Sequence, residues 1–436
     1  MRSIPVLLAA LLVCAAVGVG ALPVADRDRP AASAVGPTTA DAPASTAANA
    51  TDGTTPVRVL SLNDSDTVAA DTDVVTIDAG SAAGFGADAS AARVETLALR
   101  ERIERANTSD ERQIRILDGL NEVDKQAITL RSRQEAAIAD YAAGEITADE
   151  LLVELARIRT SAAVLEDRVE LLADLAAETE GFSLDDGRVF PLLYDLRTFD
   201  GPVRERTVRA LEGDRDASTR VYVAAADSGV VVSTVADGQY VREAFRADRH
   251  DRSGAGINEG TAQNVTQRSY PEVYDAAAGT VSGQGSGGTF LFDLAYPNGT
   301  LTAFVGGGTE RVFMEHQRVD LAGVPAGSTV SRTLDLTLRV NRTFPGGPLR
   351  VAVVDPTTGE PVDAVVKLGR EGGESTEIGT TGDDGVLWTV SPRGEFVVTV
   401  VEVGSTDVST VGVTPTEPVT VERAFASGDD GNDDGE

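Results

Sequence analysis

The sequence predicts a multi-domain α+β protein: a long antiparallel helical hairpin of coiled-coil type, a mixed α+β domain and a C-terminal β-sandwich. Three observations carry this. Apolar residues recur every three or four positions between 91 and 180. Between 182 and 325, short β-branched runs separated by turn residues alternate with one helical stretch. From 330 to 424 every apolar run alternates in strand fashion. A length of 436 residues accommodates several such domains.

The elements follow in order. Met1-Arg2-Ser3 precedes an apolar run from Ile4 to Leu22, with small residues near Gly18, Gly20, Ala21 and Ala25. One positive charge, an apolar stretch and small residues describe a secretory signal over residues 1–25. The run is close to the roughly 18 residues that span a bilayer, so an uncleaved anchor through residues 4–22 is the alternative. No twin arginine precedes it, which points to the general secretory route. Residues 26–56 are Ala, Thr, Pro, Ser and Asp, the composition of a disordered linker. Residues 57–90 read as short strands and loop, with strand-like runs at Val57–Leu62 and Val74–Ile77.

A first helix reads from Ala91 to Ala106 and halts at Asn107-Thr108-Ser109. Thr108 and Glu111 have capping-box spacing and start a second helix. Its stripe runs through Ile116, Leu120, Val123, Ala127, Leu130, Gln134, Ala137 and Tyr141. Gly144 ends that helix and Thr147 and Glu150 cap the next. There Leu155, Ile158, Ala162, Leu165, Val169, Leu172 and Ala176 repeat. Two such stripes over a short turn make a hairpin whose longer arm extends roughly 50 Å. The pattern leaves open whether it stands free or packs on the rest of the chain.

In the α+β region, Val221–Ala226 and Val230–Val235 flank the turn Asp227-Ser228-Gly229. A helix reads from Glu259 to Ala277, bent at Pro271. Strands Thr289–Ala295 and Leu301–Val305 are joined by Tyr296-Pro297-Asn298-Gly299, and Glu310–Gln317 is a strand or short helix. The sandwich strands read as Thr333–Val340, Leu349–Val354, Ala364–Leu368, Val386–Val390, Glu395–Val403 and Val419–Ala424. Residues 425–436 form an acidic disordered tail.

Charge decides the solvent and the partners. The chain carries 38 Lys plus Arg against 69 Asp plus Glu, a net charge of −31, and only Lys125 and Lys367 are lysines. Such a surface repels polyphosphate, so nucleic acid is not expected as a partner. At molar salt the Debye length is about 3 Å, carboxylate repulsion is screened, and an acidic, lysine-poor surface keeps a protein soluble. A halophilic archaeal origin is the expectation. Six of nine asparagines lie in N-x-[ST]: Asn49, Asn63, Asn107, Asn264, Asn298 and Asn341. With Ser plus Thr at about 15%, chance would place one or two there. All six fall in stretches read as loops, turns or helix breaks and are glycosylation candidates.

Three resemblances rest on particular runs. Val351-Ala-Val-Val-Asp355, Thr358-Gly-Glu-Pro-Val362, Thr381-Gly-Asp-Asp-Gly385 and Pro392-Arg-Gly-Glu-Phe-Val397 resemble carboxypeptidase-regulatory-like, or transthyretin-like, β-sandwich modules. That implies a fold over residues 349–403 and no catalysis. Phe290–Asp293, Asn298-Gly299 and Phe304-Val305 resemble a PepSY-type segment within 265–317, which implies peptidase regulation or an envelope role. Arg93-Val-Glu-Thr-Leu97, Leu130-Arg-Ser-Arg-Gln134, Ala142-Ala-Gly-Glu145, Leu151-Leu-Val-Glu-Leu155 and Phe190-Pro-Leu-Leu-Tyr194 resemble a haloarchaeal family of exported proteins. That likeness implies an envelope location.

Catalytic chemistry has little to stand on. The two histidines, His250 and His316, are far apart in sequence with no metal-binding spacing, and Cys14 lies inside the apolar run. No nucleophile elbow, P-loop or dinucleotide fingerprint occurs; Gly283-Gln-Gly-Ser-Gly-Gly288 reads as a flexible loop and Asp383-Asp384-Gly385 as a plain turn. Tyr270, Tyr274, Phe290 and Phe292 read as core. The sequence therefore predicts no catalytic, cofactor-binding or metal residues and no cofactor. The expected function is a non-enzymatic, exported, halophilic cell-envelope protein, extracellular or on the cell surface, acting as a structural or interaction module among other envelope proteins. The alternatives are a PepSY-like regulator of extracellular proteases and a divergent hydrolase using His250 or His316.

Overall fold

A computed structural model describes residues 57–62, 67–72, 79–214, 219–251, 256–277, 279–286, 288–370 and 372–421. The apolar run Ile4–Leu22, the linker 26–56, the run Val74–Ile77, Asn49, Asn63 and the tail 425–436 lie outside these residues. Among the described residues no helix is long and apolar enough to cross a membrane.

Side chains fix the helix starts. Helix α1 (Ala79–Glu104) is followed by α2 (Ser109–Ala142) and α3 (Ala148–Ala177). Thr108 accepts the Glu111 amide at α2, and the Glu111 carboxylate reaches back to the Asn107 amide at 3.0 Å. At α3, Thr147 and Glu150 form the full reciprocal box, which is worth about 1 kcal/mol over an uncapped start. Between them Gly144 turns the chain at φ +75°. Helix α1 begins at Ala79 and not at Ala91. Gly84 and Gly86 weaken its first turns, but Phe85 is buried against Ala156, Val208 and Leu211, and that packing overrides the propensity.

The α2–α3 pair is not a free-standing arm, because both stripes are covered. Leu99 and Ile103 of α1 pack on Ile116, Leu120 and Leu172. Leu192 and Leu196 of α4 (Asp186–Arg197) join the same core. Toward the turn, Ile138, Tyr141, Leu151 and Leu155 pack on a sheet. A short α5 (Pro202–Leu211) completes this layer.

That sheet has eight antiparallel strands: β1 (Val68–Thr72), β2 (Val221–Ala226), β3 (Gly229–Ala236), β4 (Gln239–Arg246), β5 (Val281–Ser286), β6 (Thr289–Tyr296), β7 (Gly299–Gly306) and β8 (Arg311–Asp320). Their spatial order is β1-β2-β3-β4-β8-β7-β6-β5. In β2, Val221, Val223 and Ala225 face α2 and α3, while Tyr222, Ala224 and Ala226 join a second core on the other side. Burial on both faces explains the unbroken apolar run. The second face is covered by α6 (Glu259–Ser269), α7 (Pro271–Ala276) and residues 57–62. Pro271 breaks this helical stretch in two, as its missing amide requires.

Residues 57–62 are not a sheet strand. They form a strap with a single parallel bridge, Val59 to Thr420. The Val59 amide donates to Val419 at 3.0 Å and the Val421 amide to Val59 at 3.1 Å. Two further readings change here. Gly283 to Ser286 belong to β5 instead of a loop, because the rings of Phe292 and Phe290 stand 2.4 Å from where a Cβ at Gly283 or Gly285 would sit. Strand β4 lacks a sequence signature because charged Arg242 and Glu243 interrupt its apolar pattern.

The sandwich pairs a sheet of order β14-β11-β10-β9 with one of order β13-β12-β15-β16. Its strands are β9 (Gly327–Arg332), β10 (Thr337–Arg342), β11 (Pro348–Val354), β12 (Ala364–Gly369), β13 (Ser375–Thr380), β14 (Val386–Val390), β15 (Phe396–Glu402) and β16 (Val408–Val413). Alternate residues such as Leu338, Val340, Val351, Val366, Val398 and Val400 fill its core. The run read as one strand, Thr333–Val340, is split. Thr333 Oγ1 accepts the Leu336 amide, a turn that leaves Leu334 92% exposed. Among the described residues the last strand is β16; of the run Val419–Ala424 only 419–421 are described, and of these Thr420 makes a single bridge. The sandwich docks on the large sheet at Gly346, whose carbonyl accepts from Ser233 Oγ (2.6 Å) and Tyr240 Oη (2.9 Å).

Candidate functional site

Two rows of side chains cross the helix-facing side of the large sheet. Register places Gln284, Leu291 and Phe304 in one row and Asp293, Thr302, His316 and Glu243 in the next. Strand alternation, with a period of two, puts both rows on the same face. Above them stand α3, with Arg159, Ala162, Ala163 and Glu166, the end of α4, with Leu196 and Arg197, and Asp200 in the link that follows. Between floor and wall lies a cavity of about 340 Å³.

The charges in it are arranged unevenly. Arg159 Nε donates to Asp200 at 2.7 Å. Thr302 Oγ1 donates to Asp293 at 2.6 Å. Arg197 lies 5.7 Å over the Tyr194 ring and has no ion-pair partner among the described residues. His316 meets Phe304 edge-on at 5.2 Å, and its Nε2 is a buried atom without a hydrogen-bond partner. Burial, with Arg204 and Arg318 nearby, holds the imidazole well below its usual range, against the pull of Asp200. It is neutral at physiological pH and a weak base.

Burial raises Glu166 to about 7, against the attraction of Arg197. The native state therefore binds this proton more tightly than the unfolded chain. The resulting cost to stability is fully felt above pH 7 and disappears below the unfolded value of 4.5. Glu166→Gln should raise the thermal midpoint relative to the parent above pH 7 and leave it unchanged near pH 4.5. Melting curves across that range check this; an offset independent of pH would refute it.

At the end of the polar row sits a buried pair. Glu243 accepts from the amides of Val203 (2.5 Å) and Arg204 (2.8 Å) and from Arg204 Nε (3.1 Å). Its carboxylate thereby caps α5, whose N-cap Gly201 offers no side chain. Arg204 also donates to Gln134 Oε1 and the Phe199 carbonyl. Burial works against both charges, raising Glu243 and lowering Arg204, and their mutual attraction opposes it. On the opposite face, Arg242 pairs with Glu315, which also accepts from the Leu60 amide (2.8 Å) and Tyr270 Oη (2.6 Å). Arg242 and Arg246 donate to the carbonyls of Leu60 (2.7 Å) and Ser61 (2.8 Å), pinning the strap.

The histidines bracket an aromatic pair and share no site. His250 stacks on Phe313 at 4.0 Å, Phe313 meets Phe304, and Phe304 meets His316. Tyr270, Phe290 and Phe292 are buried in the strap-side core with Tyr274 against it. Asp384 Oδ1 accepts the Val386 amide in a turn. Among the described residues no cluster of three His, Cys, Asp or Glu could hold a metal. Of the four sequons among the described residues, two keep their expected settings and two do not. Asn107 is exposed in the break between α1 and α2, and Asn298 lies in the β6–β7 turn. Asn264, however, is exposed in mid-α6, and its sequon Thr266 is buried and donates to the Ala262 carbonyl. Asn341 lies in β10, paired on both sides. Neither is a loop or turn: the helix and strand periods around them continue through the polar residue.

Residues 328–410 match the archaeal fibronectin-III type-like domain. The C-terminal sandwich is fibronectin-III-like. Its match differs from the transthyretin-like resemblance of residues 349–403, although both describe a β-sandwich. Residues 1–216 match a domain of unknown function (DUF7096) and residues 221–325 a family of unknown function (DUF7094). No curated protein and no solved structure matches the chain. The first two matched segments meet in one core, since α2, α3 and α5 pack on β2–β4, and the cavity takes its wall from one and its floor from the other.

Proposed function

We propose that the protein is a non-enzymatic, exported envelope protein of a halophilic archaeon that holds its fibronectin-III-like sandwich rigidly for contact with other envelope proteins. The observation that carries this reading is the docking of the sandwich: Ser233 and Tyr240 on the Gly346 carbonyl, Arg393 on the Thr67 carbonyl, and Val59 between Val419 and Val421. A module fixed at three points presents its free edges in a defined orientation. The helical pair belongs to the supporting scaffold instead of acting as a spacer. The apolar run Ile4–Leu22, the six sequons and the charge of −31 support export into high salt. Asn107, exposed in a helix break, is the first site to carry a glycan.

Fractionation of the native protein, with N-terminal sequencing and unfolding measured against KCl, tests the reading. The expected result is protein in the envelope or medium, with stability rising into molar KCl. Cytosolic protein retaining Met1 and the apolar run, equally stable in dilute buffer, would defeat it. A PepSY-like regulatory role has one supporting observation, helices α6 and α7 leading into antiparallel β5–β8. Adding the full chain to extracellular proteases without change in their activity would remove it.

A further inference from the structure

We propose that β5, the open edge of the large sheet, pairs antiparallel with β5 of a second copy of this chain. Among the described residues β5 pairs with β6 alone. Only residues 287 and 288 separate Ser286 from its partner Thr289, and a two-residue hairpin loop closes on a hydrogen-bonded pair. By alternation Ser282, Gln284 and Ser286 turn their backbone groups to β6, and Val281, Gly283 and Gly285 turn theirs outward. Natural sheets guard such an edge with lysine, proline or a bulge. Strand β5 has none of these: its register is unbroken, residues 276–292 carry no charge, and Ser282, Gly283 and Gln284 are exposed. The rings of Phe292 and Phe290 behind them account for the two glycines, but not for the missing guard.

A second copy fits this edge better than a foreign peptide or the ends of the same chain. An added peptide is recognised through pockets for its alternate side chains, and glycine at 283 and 285 shapes none. The linker 26–56 holds Pro30, Pro37, Pro43 and Pro56, which cannot donate to a ladder, and the tail 425–436 is acidic. In a chain of net charge −31, a neutral border removes like-charge repulsion at the contact itself. The edge is also self-complementary. A two-fold axis through Gly283 sets Gly283 against its own counterpart and Val281 against Gly285 of the second copy, giving about six hydrogen bonds. On the helix side Ser282 then stands opposite Gln284, two uncharged polar side chains that suit each other across strands. Beside them α4 carries Phe190, 45% exposed and stacked on Tyr194, whose hydroxyl donates to Gln284 Oε1 at 3.4 Å. The second copy covers this aromatic pair. On the other side the Glu259 carboxylate lies over Gly283, so each copy brings a like charge to the seam, which molar salt screens.

Light scattering of the purified full chain in molar KCl, from about 1 to 100 μM, tests this. The mass should double as concentration rises and go no further, because the pairing uses up the one edge of each copy. Val281→Pro removes an outward amide at the first residue of the strand and spares the ladder to β6. It should stay monomeric where the parent is dimeric, whereas Val281→Ala, which keeps the amide, should dimerise within a few-fold of the parent. Melting curves show that both variants are folded. Amide exchange in the parent needs no variant: Val281, Gly283 and Gly285 should slow several-fold between the dilute and concentrated ends. Association through the apolar run Ile4–Leu22 would survive Val281→Pro, and an edge reserved for another protein would leave the purified chain monomeric. Either result overturns the proposal, as does exchange in β5 that is independent of concentration.

Discussion

Replacing Glu315 with Ala should destabilise the protein by about 3–5 kcal/mol, the cost of leaving a buried charge without its partner. Glu315 is fully buried and Arg242 nearly so. The Ala variant removes the carboxylate that pairs with Arg242 and the acceptor for the Leu60 amide and Tyr270 Oη. Denaturant unfolding at fixed salt measures the loss, and proteolysis should show new cleavage near Leu60 as the strap loosens. Glu315→Gln keeps acceptors for the amide and the phenol and should lose less. A loss under 1 kcal/mol for Glu315→Ala would mean that the pair is solvated and the strap is held by apolar contacts alone.

Gly201→Ala should be nearly as damaging, at about 3 kcal/mol or more. The backbone at Gly201 is extended, so strain is not the reason. A Cβ there would stand 2.3 Å from the Glu243 carboxylate. That carboxylate is tied by two amides and Arg204 and cannot retreat without releasing them. Glu243→Ala loses the same bonds by another route. The two changes should therefore be strongly non-additive, the double variant losing little more than either single one. Additive losses in a denaturation cycle would show that Gly201 acts elsewhere.

Both sites show why part of this molecule was hidden in its sequence. Helices α2 and α3 were readable because their apolar stripes and Thr/Glu caps are local, with every cue within four residues. Strands β2, β6 and β7 were readable for the same reason, through alternation and turns. Strand β4 was not, because Arg242 and Glu243 look like a surface pair until Glu315 and Arg204, distant in sequence, are seen to neutralise them. Phe85 likewise makes a helix of a glycine-containing stretch through partners in α3 and α5. The cavity gave even less away. His316 was visible as a histidine, but Arg159, Glu166, Arg197 and Asp200 are ordinary members of a charged surface until α3 and α4 close over the sheet. Their place around the cavity, not residue type, distinguishes them.

The bridge at Val59 has a mechanical consequence. The segments 57–62 and 419–421 lie parallel there, so Val57 and Val421 stand toward opposite ends of the bridge. Tension between those ends would slide the segments lengthwise past each other. The two Val59 hydrogen bonds and the arginine clamps on Leu60 and Ser61 would then bear load together instead of opening one by one. A molecule pulled between a support and a bound partner would yield late and all at once, as a lap joint does, and not by gradual peeling.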